Sequence, residues 1–219
     1  MYYLKFENGD KCPWTLGKIL CVGRNYAAHA KELNNPIPSA PIVFLKPSTS
    51  AVPLDQPFSI PNNQGEVHHE LELALLIGQP LSNCDEETGR NAVVGIGLAL
   101  DLTLRDVQNR LKEKGHPWEV AKAFDGACPM TPFKPVQGLP DHHDLMFTLE
   151  RNGKVQQHGR TGDMIFNIGQ LLSYMSKHFT LNPGDVVLTG TPAGVGPLVS
   201  GDQLKVRLND SLEYQSQVL

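Results

Sequence analysis

Residues 67–77 read VHHELELALLI, a stretch that combines a structural pattern with a chemical one. Apolar residues occupy the odd positions apart from His69, whereas the even positions begin with His68, Glu70 and Glu72. Such period-two alternation is typical of a β-strand that packs through one face. We therefore predict a strand over 67–77 that carries acidic side chains at one end of its other face.

The rest of the composition is typical of a globular protein rich in turns. The chain has 219 residues, of which 40% are hydrophobic, and a formal net charge of −4. A single hydrophobic core can grow to about 250–300 residues, so we predict one domain over 1–219. Because 20 glycines and 17 prolines divide the chain into short elements, a strand-rich fold is favoured over a helical bundle.

Several classes of function are disfavoured by what the sequence lacks. No block of like charges marks a nucleic-acid or anionic membrane surface. The longest apolar run, 92–100, is half a bilayer span, and residues 1–11 lack a signal-peptide core. The four cysteines form no C-x-x-C pair, and no P-loop, H-E-x-x-H or G-x-S-x-G motif occurs. We expect reduced thiols, a cytoplasmic location, and neither nucleic acid nor membrane as a partner.

Periodicity and turn residues predict the remaining elements. Asn152-Gly153 between two strands predicts a type I′ hairpin. Thr103 is expected to cap a helix that reaches residue 114, and Asp163 to cap a helix over 164–177. The other predicted strands are 19–23, 42–45, 95–100, 146–150, 155–158, 186–189, 203–208 and 212–218, and the other predicted helices are 26–33 and 86–94.

Three carboxylates could converge on one cation. On a strand, Glu70 and Glu72 share a face, and Asp101 would join them if the strand that it ends lies alongside. At about 5 Å and an effective dielectric constant of ~20, each pair of charges would repel by about 3 kcal/mol, so the cluster would need a cation or shared protons. An all-oxygen set suits Mg²⁺ or Mn²⁺ better than zinc. A solvated strand edge with two glutamates is the alternative.

Other side chains could serve as catalytic or binding groups. His29 and Glu32 stand three apart in a predicted helix, where a carboxylate can hold an imidazole as a general base. Lys122 could supply a cation to a developing oxyanion. Thr191 lies in a glycine-rich loop, 190–196, that could bring backbone N–H groups to an anion. The alternatives are a surface ion pair, a solvated lysine and a tight structural turn.

Taken in order, these motifs resemble the fumarylacetoacetate hydrolase family, in particular its short single-domain branch of acylpyruvate hydrolases and oxaloacetate decarboxylases or tautomerases. The resemblance covers nearly the whole chain. It implies an α+β, strand-rich fold, a mixed β-sandwich roll with peripheral helices, and usually a homodimer. The matching motifs are VGRNYA at 22–27 with His29, FLKP at 44–47, HHELEL at 68–73, LDLT at 100–103, RDVQ at 105–108, PW at 117–118, AK at 121–122 and the segment 188–196.

The same resemblance implies a role for each candidate residue. The carboxylates would be the ligands of Mg²⁺ or Mn²⁺, the His29–Glu32 dyad would sit on a lid over the substrate, and Lys122 would polarise a substrate oxygen. Further positions match or neighbour substrate contacts of the family. The implied metal ligands are Glu70, Glu72 and Asp101, and the implied substrate-binding residues are Arg24, Lys46, Arg105, Gln108 and Thr191.

The implied activity is hydrolysis of a C–C bond in short acylpyruvates, which are 2,4-diketo acids. A 2-oxo acid can chelate the metal through its C1 carboxylate and C2 oxygen, which stabilises the enolate formed when a bond at C3 breaks. Pyruvate and a carboxylic acid would be the products. Oxaloacetate offers the same chelate, so decarboxylation or keto–enol tautomerisation is an alternative, as is a 2-hydroxyhepta-2,4-diene-1,7-dioate isomerase. A non-catalytic module that binds a metal or an oxo acid is the alternative of another class, and the dyad favours an enzyme.

Overall fold

The computed structural model describes residues 2–139, 144–209 and 211–219, in which short strands outnumber helices. The strands are β1 Ile19–Val22, β2 Val43–Lys46, β3 Ala51–Pro53, β4 Val67–His69, β5 Leu71–Ile77, β6 Val93–Leu100, β7 Thr103–Leu104, β8 Cys128–Met130, β9 Lys134–Pro135, β10 Met146–Arg151, β11 Lys154–Arg160, β12 Val186–Leu188, β13 Gly196–Pro197, β14 Gln203–Leu208 and β15 Leu212–Gln217. The helices are α1 Ala27–Glu32, α2 Glu86–Asn91, α3 Arg105–Glu113, α4 Glu119–Lys122 and α5 Ile168–Ser176.

These strands form three sheets. The largest has the order β2-β1-β12-β5-β6-β8-β3, with β9 also paired to β6. Its β1–β12 and β3–β8 pairs are parallel and its other pairs are antiparallel, so the sheet is mixed. The order β11-β10-β14-β15 makes a second, antiparallel sheet, and β13-β4-β7 makes a third. The predicted strand-rich α+β class is confirmed.

Strand β5 lies inside the large sheet, and both of its faces are covered. Its residues Leu71, Leu73, Leu75 and Ile77 pack in the main core, whereas Ala74 and Leu76 on the other face pack in a second core. All seven residues of the strand are buried. The prediction that only one face packs is therefore wrong, because the sheet separates two apolar layers and the strand is apolar on both sides.

The predicted strand over 67–77 is also broken, at Glu70. Before the break β4 pairs with β7 and β13, and after it β5 pairs with β6 and β12. The neighbouring strand breaks at the same level, between β6 and β7, which places Asp101 beside Glu70. The backbone N–H of Asp101 donates to the Glu70 carbonyl at 2.8 Å. Two carboxylates thus meet where the chain passes from one sheet to another.

Two predicted helix caps are wrong. Thr103 lies in β7, where it pairs with His68, and α3 starts only at Arg105. Strand pairing overrides the local capping pattern there. The helix predicted from residue 164 starts instead at Ile168 and is capped by Asn167. Residues 164–166 instead lie against residues 25–26. Met164 forms a bridge with Tyr26, the Ile165 N–H donates to the Asn25 carbonyl, and the Phe166 N–H donates to Asn25 Oδ1.

The hairpin prediction is confirmed. Asn152 and Gly153 have φ values of 53° and 76°, the two left-handed residues that a type I′ turn requires. The other predicted strands lie within two residues of the observed ones. The helix predicted over 86–94 ends three residues early, since Val93 and Val94 join β6. Over the described ranges, no helix is long and apolar enough to span a membrane.

Candidate active site and metal centre

Three buried carboxylates meet at the breaks in the sheet. Glu70 lies between β4 and β5, Glu72 lies in β5, and Asp101 follows β6 directly. One oxygen from each lies within 4.8 Å of the other two, and none of the residues is more than 5% exposed. The predicted cluster required the strand that ends at Asp101 to lie beside the strand that carries Glu72. It does, because β5 and β6 are paired neighbours.

Three buried cations accompany these carboxylates. Lys122 Nζ lies 2.8 Å from Glu70 Oε2 and 2.6 Å from Asp101 Oδ2. Arg105 donates to Glu70 Oε1, and Lys46 Nζ lies 2.8 Å from Asp101 Oδ1. Burial alone would raise the pKa of Glu70, but the charges of Lys122 and Arg105 hold it well below its usual range. This carboxylate is therefore ionised.

Glu72 differs from the other two carboxylates in having no cation of its own. No ion pair with it occurs within residues 2–139, 144–209 and 211–219, and its Oε2 accepts a hydrogen bond from the Gly190 N–H at 2.6 Å. Burial, together with the charges of Asp101 and Glu70, raises the pKa of Glu72 well above its usual range. A bound divalent cation would relieve this repulsion, because its charge would take the place of the proton. The three-carboxylate oxygen set fits Mg²⁺ or Mn²⁺.

Lys46 lies behind the carboxylates, away from the cleft. It is fully buried, and its Nζ donates to the carbonyl oxygens of Leu102 and Ala127 at 3.3 and 3.0 Å and to that of Lys122. It was expected to contact substrate. Its hydrogen bonds instead link the segment that carries Asp101 to the segment that carries Lys122. Lys46 therefore has a supporting structural position in the site.

The His29–Glu32 dyad lies on α1, as the spacing predicted. His29 Nδ1 is 3.2 Å from Glu32 Oε2, and Glu32 Oε1 accepts the Gly194 N–H at 3.0 Å. A carboxylate accepts hydrogen bonds, so this contact fits the tautomer of His29 with its proton on Nδ1, in which Nε2 can accept a proton. His29 is only 4% exposed and lines the same cleft as Glu70 and Glu72. A base is therefore placed beside the carboxylates.

Most of the predicted site residues line this one cleft. Asp101 and Glu32 do not line it but contact residues that do, namely Lys122 and His29. Gln108 accepts a hydrogen bond from Arg105 Nη1 at 2.7 Å. The predicted residues that line the cleft are Arg24, His29, Glu70, Glu72, Arg105, Gln108, Lys122 and Thr191. The lining residues that were not predicted as site residues are Val22, Gly23, Leu33, Asn35, Lys112 and Trp118.

Gln157, a fully buried residue of β11, was not among the predicted site residues. Its Oε1 accepts the Leu71 N–H at 2.9 Å and lies 2.9 Å from His69 Nδ1. Its Nε2 donates to Thr191 Oγ1 at 2.7 Å and to the Pro192 carbonyl at 3.0 Å. One amide thus holds both the break beside Glu70 and the glycine-rich loop. The polar sequence around it gave no signal of burial.

We expect Gln157→Leu to destabilise the protein by about 2–4 kcal/mol, because at least two buried polar groups lose their partner at about 1–3 kcal/mol each. Urea unfolding measures this loss directly. Gln156→Leu is the matched control, since that side chain makes only a weak contact to its own strand at 3.3 Å. Equal unfolding midpoints for the two variants would show that Gln157 does not hold the site.

Comparison with known proteins agrees with this geometry. The family model described as fumarylacetoacetate (FAA) hydrolase C-terminal matches residues 18–218. The chain is 50% identical over 207 residues to oxaloacetate tautomerase YcgM of Escherichia coli (strain K12), a match that covers 94% of each chain. It is 44% identical over 206 residues to the mitochondrial oxaloacetate tautomerase FAHD1 of Bos taurus, covering 94% of this chain and 93% of the relative.

A solved structure extends the likeness to the whole fold. Fumarylpyruvate hydrolase of Pseudomonas aeruginosa, in complex with Mn²⁺ and pyruvate, matches with a TM-score of 0.92 and 33% identity. The match covers 100% of this chain and 95% of that one. The resemblance on which the expected fold rested is thereby confirmed. The chain belongs to the fumarylacetoacetate hydrolase family.

Proposed function

We propose that the protein is a divalent-metal-dependent oxaloacetate tautomerase, which interconverts the keto and enol forms of that 2-oxo dicarboxylate. The observation that carries the proposal is that one cleft brings together a buried histidine, His29, which Glu32 holds by a hydrogen bond, and a cluster of three carboxylates. The names of the relatives at 50% and 44% identity support the choice of reaction.

Charge balance in the buried site favours a substrate with two negative charges. The carboxylates of Glu70, Glu72 and Asp101 are matched in number by the cations Lys46, Arg105 and Lys122. A bound divalent cation would leave this cluster with two positive charges, and Arg24 and Lys112 add positive charge to the same cleft. A dianion such as oxaloacetate offsets more of this charge than a monoanion such as acetylpyruvate, and unmatched charge is costly in a site removed from water.

The residues of this chain can move the proton that the reaction requires. Conversion of keto to enol moves a proton from C3 to the C2 oxygen. We assign removal of the C3 proton to His29 Nε2, which would then return it to the C2 oxygen, with Glu32 stabilising the imidazolium formed in between. The ammonium of Lys122 provides positive charge beside the substrate oxygens. When bound, the metal would add electrostatic stabilisation of negative charge on the C2 oxygen.

Hydrolysis of acylpyruvates, the activity first expected from the sequence, is the second candidate. The likeness to a fumarylpyruvate hydrolase favours it. It differs in needing a water molecule, which His29 would deprotonate for attack at C4. Decarboxylation of oxaloacetate and isomerisation of a diene-dioate would use the same cleft. The predicted homodimer, the single domain and the cytoplasmic location stay predictions.

The proposal is tested with purified protein that has been stripped of metal and then supplied with Mg²⁺ or Mn²⁺. Enol-oxaloacetate is added, the ultraviolet absorbance of the enol is followed, and pyruvate is assayed in parallel. We expect metal-dependent loss of the enol without matching pyruvate release. Acetylpyruvate serves as the hydrolase substrate in a separate reaction. Faster turnover of acetylpyruvate than of enol-oxaloacetate would reverse the order of the two candidates.

A further inference from the structure

We propose that Lys112, together with Arg24, forms a subsite for the second carboxylate of the substrate and so selects 2-oxo dicarboxylates over 2-oxo acids with a single carboxylate, such as acetylpyruvate. The inference deepens the proposed function and rests on it. It assigns Lys112 a role in specificity that neither its spacing nor any sequence motif indicated.

Helix α3 delivers Lys112 to the cleft. Arg105, Gln108 and Lys112 are three and four residues apart, so they share one face of the helix and all three line the cleft. Arg105 starts this row at the carboxylates, where it binds Glu70. Lys112 ends the row about two turns further along the helix. The row therefore leads from the metal centre outward.

Lys112 is a half-buried cation that lacks an anionic partner. No carboxylate lies within ion-pair distance of it in the described part of the chain, and its Nζ sits 5.3 Å from the centre of the Trp118 ring. Burial and the positive charge of Arg105 lower the pKa of Lys112 to about 8. A bound anion would stabilise the charged form of Lys112 and so offset the effects of burial and of Arg105 on its pKa.

Arg24 faces the same opening. Its Nη1 donates to the Pro36 carbonyl at 3.1 Å, and no carboxylate pairs with it over the described residues. Its φ of 121° is strained for a residue other than glycine. Strain of this kind is held in place by surrounding structure and clusters at ligand sites. Two cations without carboxylate partners thus line the cleft that also reaches Glu70 and Lys122.

The cleft then offers a dicarboxylate one cationic group for each end. The carboxylate and 2-oxo group can approach the metal centre, and the second carboxylate can approach Lys112 and Arg24. The short acyl chain of an acylpyruvate would place uncharged atoms against these cations, which would have to lose water without gaining a partner. Discrimination between the two classes of substrate follows from that difference.

The test measures binding to the Mg²⁺-loaded protein by calorimetry, independently of turnover. The probes are 3,3-difluorooxaloacetate, a dicarboxylate that cannot enolise, and pyruvate, which lacks the second carboxylate. We expect Lys112→Met to weaken difluorooxaloacetate binding by about 10- to 100-fold, the worth of one charge-assisted hydrogen bond, and to leave pyruvate binding within about two-fold. Lys112→Arg should retain most of the affinity. Lys114→Met is the control, because that exposed lysine lies outside the cleft.

Each outcome decides the inference. Unchanged difluorooxaloacetate binding in Lys112→Met, or an equal loss for pyruvate, would overturn it. Arg24→Gln gives a second, independent reading, in which the same selective loss is expected. If the wild-type protein binds difluorooxaloacetate selectively but does not isomerise enol-oxaloacetate, the subsite stands and the proposed reaction fails. If it isomerises oxaloacetate while Lys112→Met binds both probes normally, the reaction stands and the subsite fails.

Discussion

Glu72→Gln should fold as well as the parent protein and lose its divalent cation. Glutamine keeps the shape of the side chain and an oxygen for the Gly190 N–H. Unlike Glu70, Glu72 holds no ion pair in the described ranges, so its neutralisation strands no buried cation. Mutation of a residue that only hydrogen-bonds to a metal ligand typically lowers metal affinity by about 10- to 100-fold. Loss of a ligand's own charge should therefore lower the affinity for the cation by at least about 100-fold. Turnover should disappear with the metal.

Calorimetric titration with Mg²⁺ and urea unfolding without it together measure this outcome. Glu87→Gln is the control, because it removes the same charge from an exposed site on α2. Glu70→Gln makes an informative contrast. It should lose the metal and also about 3–5 kcal/mol of stability, because Lys122 and Arg105 would lose a buried partner. A wild-type Mg²⁺ isotherm for Glu72→Gln would remove Glu72 from the ligand set.

His29→Asn should do the opposite, keeping the cation while losing the reaction. Removal of a positioned general base costs about 10²- to 10⁴-fold in rate. Glu32→Gln should lose less, since its amide oxygen can still accept the Nδ1 proton of His29 but no longer stabilises the imidazolium by charge. Enol-oxaloacetate isomerisation at saturating Mg²⁺ gives the rates, and titration confirms metal binding.

Lys31→Gln is the matched control on the same helix, because Lys31 is exposed and carries no part of the dyad. A fully active His29→Asn would refute the general-base assignment. If decarboxylation of oxaloacetate survived in this variant while isomerisation did not, the two reactions would have separate proton requirements.

The carboxylate cluster was predictable because most of its signal is local. Glu70 and Glu72 are two residues apart, and only Asp101 depended on an unproven neighbour relation that the β5–β6 pairing supplies. The sequence did not indicate that Lys122 and Arg105 pair with Glu70. The residue type shows that a side chain is charged but not where that side chain points. Those contacts depend on how α3 and α4 meet the sheet.

The misses have a common physical cause. The resemblance implies that Lys46 contacts substrate, whereas its ammonium donates to three buried carbonyl oxygens, a direction that no local pattern around Lys46 indicates. Gln157 comes from a hairpin 85 residues beyond Glu72, and the register of a different sheet sets its position. Thr103 fits a capping pattern but is held by pairing with His68. In each case contacts between residues far apart in the sequence determine where the side chain lies, and the local spacing of residues does not indicate those contacts.

The two breaks at Glu70 and Asp101 give the candidate metal centre a mechanical role. They mark where paired strands leave the large sheet for the small β13-β4-β7 sheet. A cation held by ligands at both breaks would link the two sheets, so the small sheet could not separate from the large one without releasing the cation. At 100 times its dissociation constant such a ligand adds about 2.7 kcal/mol to the free energy of unfolding. Backbone amides of β4 and β7 would accordingly exchange with solvent deuterium more slowly when magnesium is present.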